Sequence, residues 1–420
     1  MTDASHQAAA PPGPHREIQA DREWQVTLWA MVGIQFIMTM AFSFLSPIMP
    51  LFLPRLGVTT EAGIDLWSGI LNGSTSFVAA FASPLWGRLA DSYGRKPMLI
   101  RSSCAIALFT ALMGLSLNVW QFFGARALMG VFAGFSSTAM ALVASQVPEQ
   151  RLGYALGWLS TGQLVGSLVG PVIGGILADL TGSYRVPFYC TSAITFAATF
   201  LVWRGVHEHF PGPGTHRKRG GLRGLALLIG ATGVAPLFFV LLMAQFSTRA
   251  VQPVVTLFVQ ELTGPRPDLA TLGGVAFSVT GLAGMIAVPL LGKHSDEIGY
   301  RRVLLICLAG ATLTSLPQAF AQNYWWFAVE RFAVGLFIGG ILPTANALIG
   351  RMVPRSDRGT VYGMTASATF LGNSLGPLTG GAIAASFGLR WVFLITAALL
   401  LANLLWVYLA VREYADTPRR

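Results

Sequence analysis

The stretch "WGRLADSYGRKP" at 86–97 holds four charged residues, Arg88, Asp91, Arg95 and Lys96. It lies in a chain of 420 residues that is 53% apolar and only 11% charged. A second stretch, "LGKHSDEIGYRR" at 291–302, concentrates charge in the same way. A soluble chain of this size carries roughly 25% charged residues to face water. With a mean hydropathy of +0.59, this chain lacks enough charge to cover such a surface, and the bilayer is its expected solvent. Its 47 Gly and 23 Pro fit membrane helices, in which both are common. The two charged stretches then read as short loops between spans.

Working outward from them, twelve runs are long and apolar enough to cross a membrane as helices. They are 26–53, 66–86, 97–117, 120–145, 153–178, 187–204, 234–260, 269–291, 302–320, 324–349, 360–385 and 390–411. The bilayer requires each segment to satisfy its own backbone, and none alternates as a barrel strand does. The run 222–262 is too long for one span, so 222–233 reads as an interfacial segment. Residues 1–24 contain no apolar signal core and read as a disordered cytoplasmic tail. Cys104, Cys190 and Cys307 stand singly in apolar runs and match no metal or disulfide spacing.

Basic residues set the orientation. Of 28 Lys and Arg, only Arg55, Arg185, Arg266 and Arg390 fall in loops on one side, and Arg126, Arg249 and Arg331 lie within spans. The remaining 21 fall on the other side, which the positive-inside rule makes cytoplasmic, with both termini. This asymmetry accounts for the net charge of +10 without nucleic acid, and it fits loops facing an anionic leaflet. The basic, Gly- and Pro-rich stretch 204–224 divides the chain. The expected organisation is a tail at 1–24, a six-helix bundle at 25–204, a cytoplasmic linker at 205–233, a second bundle at 234–411 and a tail at 412–420.

The halves repeat. A shift of 205 places Gly87, Asp91 and Gly94 on Gly292, Asp296 and Gly299, and Arg126, Gly130 and Gly134 on Arg331, Gly335 and Gly339. A shift of 206 places Gly166, Gly170, Pro171, Gly174 and Gly175 on Gly372, Gly376, Pro377, Gly380 and Gly381. Pro47, Leu51 and Phe52 fall on Pro253, Leu257 and Phe258. Parallel six-plus-six repeats imply a cavity between two halves. The expected fold class is an all-α integral membrane protein of twelve helices in two pseudo-symmetric bundles.

These residues carry a family resemblance. "GRLADSYGRKP" resembles the loop between the second and third helices of the major facilitator superfamily. "RALMG" at 126–130 is similar to its fourth-helix arginine motif, and "GSLVGPVIGG" at 166–175 to the fifth-helix signature of its drug:proton antiporters. The resemblance covers roughly residues 26–411. It implies a secondary active transporter in the cytoplasmic membrane that exports amphipathic small molecules. A proton gradient would drive it in place of any cofactor. The expected partners are that small molecule and the lipid bilayer, with the chain a monomer.

Each motif also has a physical reading. Gly87 and Gly94 permit close packing and a sharp turn, while Arg95 and Lys96 mark topology. Asp91 is the residue that positive-inside leaves unexplained. The resemblance makes it a latch onto the cytoplasmic end of helix 11; the alternative is a local turn or helix cap. In the second copy Asp296 remains, but Tyr300 stands where Arg95 would. Gly162, Gly166 and Gly170 at i, i+4 and i+8 offer one helix face to a neighbouring backbone, and Pro171 permits a kink. The resemblance adds control of leak in exchangers to that packing role.

Charged residues within spans are costly and functional by default. The resemblance gives Arg126 a part in proton coupling; the alternative, for it and for Arg331, is a contact that holds helices together. Glu330 titrates if buried, or lies idle near the outer interface. Arg249, four residues before Pro253, meets either an anionic substrate or carbonyls freed by the proline. Gln35, Thr39, Asn72, Gln163, Gln245, Asn346 and Asn373 are polar candidates for a cavity. Phe36, Phe42, Phe77, Phe246 and Phe370 are candidates for its apolar wall. Helices 1 and 4 carry no acid, so proton coupling falls to Asp91, Glu330 or Asp65. A metabolite uniporter or symporter of the same fold is the alternative function. An intramembrane enzyme lacks support, since the chain has no HExxH or Walker A and no His within a span.

Overall fold

The computed structural model describes residues 14–148, 151–206, 208, 235–353 and 358–411. Among the described residues, twelve helical rods follow one another. Rod α1 is Pro14–Ser43, followed by the short turns Met49–Phe52 and Leu53–Leu56. Next come α2 (Glu61–Tyr93) and α3 (Arg95–Leu115). Rod α4 is broken into Val119–Val131 and Phe135–Gln146; α5 is Leu152–Thr181 and α6 Val186–Gly205. In the second half, α7 comprises Ala235–Ala250 and Val255–Thr263, joined by a tight turn at Gln252–Val254. The chain continues with α8 (Leu269–Ile298), α9 (Tyr300–Ser315), α10 (Tyr324–Met352), α11 (Arg358–Phe387) and α12 (Leu389–Ala410).

Among the described residues, ten of the rods are long and apolar enough to cross a membrane. The other two, α2 and α11, are rich in Gly, Ser, Thr and Asn and pack on each other between the halves. Among the described residues the first helix runs from Pro14, so residues 14–24, expected as part of a tail, are helical instead. The expected interfacial segment at 222–233 and tail at 412–420 lie outside the described residues, as does most of the linker.

The duplication extends to individual side chains. Phe52, Phe122 and Phe188 form a fully buried triad with ring centroids 5.5–6.0 Å apart. Their equivalents Phe258, Phe327 and Phe393 form a second triad at 4.9–5.7 Å. Arg185 stacks on Phe52 and donates to the carbonyls of Gly114 and Ser116. Arg390 stacks on Phe258 and donates to Ala319 and Ala321, the residues one repeat further on. Asn118 and Asn323 each cap the following helix, accepting from the Gln121 and Trp326 N–H groups at 2.9 Å. Asparagine there satisfies an N–H that the helix leaves unpaired.

The turns that carry Arg95, Lys96, Arg301 and Arg302 lie at one end of the rods, here termed the basic end. Gly94 and Gly299 make these turns with φ of +93° and +96°, a region in which other residues are strained. The triads lie toward the opposite end. There the halves touch through α2 with α11 and α5 with α8.

Candidate functional site

The interface between the halves is built from small residues. A Cβ on Gly69 would stand 2.8 Å from the Gly381 Cα, and one on Gly73 2.7 Å from the Ser374 carbonyl oxygen. On the other side, a Cβ on Gly175 would stand 2.8 Å from the Thr271 Cα, and one on Gly274 2.7 Å from the Pro171 carbonyl carbon. Ser278 donates a hydrogen bond across the halves to the Leu168 carbonyl. These contacts close the opposite end. Nearer the basic end the same faces are exposed: Gly87 on α2, Gly157 and Thr161 on α5, Pro289 and Gly292 on α8, and Phe370 on α11. The space between the halves is therefore sealed at one end and open at the other.

The fifth-helix signature divides between two partners. Gly162, Gly166, Gly170 and Gly174 face α1, where a Cβ on Gly162 would meet the Val32 carbonyl at 2.8 Å. Gly175 and Pro171 face α8 in the other half. The second copy follows the same rule: Gly372, Gly376 and Gly380 face α7, while Gly381 and Pro377 face α2. The Gly-Gly pair in each signature thus couples packing within a bundle to the seal between bundles.

Arg126 and Arg331 are equivalent in their contacts as well as in sequence. Arg126, 4% exposed, donates from Nε to the Leu71 carbonyl on α2. Arg331 donates from Nε to the Ala276 carbonyl on α8, one repeat further on, at 3.5 Å. Neither has an acidic partner among the described residues. Arg249 donates to Asn373 Oδ1 (3.0 Å) and Gln252 Oε1 (3.2 Å), so side-chain amides receive it where freed carbonyls were one expectation. Gln245, Arg249 and Gln252 follow at i, i+4 and i+7 on one side of α7. The side buried in the bundle carries Val240, Ala244 and Ser247. Asn373 precedes Ser374, the innermost of the glycine contacts named above. Arg249 therefore lies beside the inner edge of the α2–α11 seal, packed on Gly376 of its own bundle.

Other candidates are dispersed. Gln35 is 1% exposed and donates to Ser136 on α4 (3.0 Å) and toward Thr39 (3.4 Å), which holds it inside the first bundle. Asn72 donates back to the Ser68 carbonyl. Gln163, Gln245 and Asn346 are half-buried. Glu330 is close to the opposite end, where its Oε1 accepts from Trp326 Nε1 one turn earlier and its Oε2 is buried without a described partner. Asp65 lies at the seal, its carbonyl 2.6 Å from a Cβ on Gly381.

Asp91 and Asp296 are in the last turns of α2 and α8, and their side chains lie outside the described residues. The first N–H groups of α3 are taken by Glu208, which follows α6: its carboxylate accepts from Arg95 N (2.7 Å) and Lys96 N (2.7 Å). The Arg95 side chain donates to the Ala141 carbonyl on α4, within its own half. Its counterpart Tyr300 accepts from Arg351, which also stacks on its ring.

Sequence reading gave no role to the brace around the break in α4. Arg101 lies 3.4 Å above the Trp86 ring and reaches the Phe132 and Ala133 carbonyls, and Trp86 Nε1 donates to Val131. A break frees carbonyls that need new donors. The "GVFAG" run at 130–134 was the available signal.

A duplicated helical protein with a small-residue seal at one end and an open interface at the other is built as a membrane transporter. The chain belongs to the Major Facilitator Superfamily, whose family model matches residues 31–264 and 237–420. It is 38% identical over 398 residues to multidrug resistance protein MdtG of Dickeya zeae, covering 94% of this chain and 96% of that protein. It is 38% identical over 373 residues to MdtG of Yersinia enterocolitica, covering 89% and 90%. Among solved structures, the nucleoside transporter NupG superposes with a TM-score of 0.75 at 12% identity, covering 92% of this chain and 99% of that one. A bacterial homologue of the lysosomal transporter Spinster, in an inward-facing and occupied conformation, gives 0.74 at 16%, covering 96% and 98%. These two structures show the shared fold. The chain is a multi-pass membrane protein and a secondary transporter.

Proposed function

We propose that the protein exports amphipathic small molecules across the cytoplasmic membrane by alternating access, driven by a proton gradient. The observation that carries this reading is the seal between the halves at one end, with the matching faces exposed at the other. The positive-inside rule makes the basic end cytoplasmic, so the arrangement corresponds to a state open to the cytoplasm, ready to load. Rocking the bundles would part the seal and close the basic end around a midplane site. The identity to multidrug resistance proteins supports drugs as cargo. The signature on α5 and its copy on α11 supports exchange, since each ties the seal to its own bundle.

Within this reading, Gln245, Arg249 and Asn373 line the inner edge of the seal as substrate contacts. Arg126, Glu330, Asp65 and Asp91 are the groups through which a proton would act, and the protein works as a monomer without a cofactor. Spin labels introduced by Gly157→Cys and Gly292→Cys, both at exposed positions, test the motion. Substrate together with an imposed pH gradient is expected to shorten their separation as the basic end closes. A distance distribution unchanged by both overturns alternating access for this chain.

A further inference from the structure

The two seals at the opposite end are not equivalent. Between α2 and α11 the halves meet through glycine packing alone in the contacts described above. Between α5 and α8 the same packing is joined by Asp179. Its carboxylate accepts from the Ala270 N–H (3.3 Å), the Thr271 N–H (2.7 Å) and the Thr271 hydroxyl (2.6 Å), all in the other half. One repeat on, the equivalent of Asp179 is Ala385.

The cap comes from the other half because the local one is engaged elsewhere. Ala270 and Thr271 belong to the first turn of α8, where N–H groups have no partner within the helix. A carboxylate there is favoured by those donors and by the positive end of the helix. Asp268, in the usual capping position, makes no such bond. Its oxygens accept from Arg266 at 2.8 and 2.9 Å, and that hydrogen bonding holds the Asp268 carboxyl below its usual range. By contrast, α2 is capped by its own Thr60, whose hydroxyl oxygen accepts from the Gly63 N–H. The N-terminus of α8 therefore depends on the opposite bundle.

We infer that Asp179 is a one-sided latch that holds the outer end closed, a positioning residue for the transport cycle. Its bonds exist only while α5 and α8 are in contact, so they favour the closed-outside state and no other. The inference rests on the alternating-access reading, and its test separates the two. Cys104, Cys190 and Cys307 are first replaced by alanine. Ser374→Cys then reports on the other seal, because Ser374 is 1% exposed and becomes reachable only when the whole outer face opens. A membrane-impermeant maleimide is applied from the outside.

With Asp179→Ala, labelling is expected to rise about tenfold, the scale of losing a charge-assisted helix cap. Asp179→Asn keeps an acceptor but loses the charge, and is expected to raise labelling less. Thr271→Val removes one donor from the facing half with little change of shape and is expected to act in the same direction. The Asp179→Ala, Thr271→Val pair should exceed Asp179→Ala by little, because both break one contact. Gly175→Trp is the control, since its side chain cannot fit the closed seal. If Gly175→Trp raises labelling and none of the Asp179 and Thr271 variants does, the latch is overturned and alternating access stands. If none of them labels, both fall.

Discussion

Gly69 on α2 and Gly381 on α11 pack backbone to backbone across the two halves: a Cβ on Gly381 would stand 2.7 Å from the Gly69 Cα. No side chain fits there while this end is closed, yet the position would be unconstrained by this contact if the halves part. Gly381→Leu is therefore expected to leave the folded, monodisperse protein intact and to lower the efflux rate at least about tenfold, because overpacking costs roughly 1–3 kcal/mol in the closed state alone. Efflux at the parent rate would contradict this account of the seal.

The buried rings make the opposite prediction, for stability. Phe188 and Phe393 occupy equivalent places in the two triads. Phe188→Ala and Phe393→Ala should each destabilise by about 3–5 kcal/mol, the usual cost of emptying a buried aromatic site. Thermal unfolding in detergent should show similar drops in midpoint for both. A drop for one alone would mean that the bundles are less equivalent than their geometry.

Arg126 separates function from stability. Its guanidinium is buried against the Leu71 carbonyl without an acidic partner among the described residues. Replacing a buried charge with an apolar side chain of similar length is often neutral or stabilising. Arg126→Met is expected to hold or raise the unfolding midpoint while reducing proton-driven efflux about tenfold or more. A large fall in midpoint with efflux per folded molecule unchanged would assign Arg126 to packing.

Glu208 is expected to act locally. Its carboxylate accepts from the first N–H groups of α3. Glu208→Ala should cost about 1 kcal/mol, as the loss of an N-cap does, and should speed amide hydrogen exchange at Arg95 and Lys96 several-fold relative to the middle of α3. Unchanged exchange at those two residues would show that the cap is not formed in the membrane.

The apolar runs made the helical architecture legible, because a bilayer leaves few alternatives to helices of that length, and the 205–206 register made the duplication legible. The glycine face of Gly162, Gly166 and Gly170 could also be read, since its spacing alone places it on one side of a helix. Gln35 shows less than its mid-span polarity suggested: it is 1% exposed, its Nε2 donates to Ser136 within the bundle, and its Oε1 is buried without a described partner. Arg185 and Arg390 read as topology marks in outer loops, although each turns inward over a ring. Phenylalanines are common in spans and carry no signal singly; only the repeat register, extended to Phe122 and Phe327, could have flagged the triads. Asp179 gave no signal at all, because an acid at a helix end is ordinary until the neighbouring helix start, ninety residues on, is brought against it. The break in α4 had a signal in the "GVFAG" run at 130–134, but its brace comes from Arg101 and Trp86 on other rods and could not be read from it.

The central claim is proton-driven export, and cellular accumulation tests it most directly. A fluorescent amphipathic drug is followed in cells with and without expression, each with the proton gradient intact or collapsed. The account predicts lower accumulation only where the protein is expressed and the gradient intact, with Asp179→Ala and Gly381→Leu restoring the higher level. Equal accumulation in all four conditions across a broad panel of drugs would contradict it.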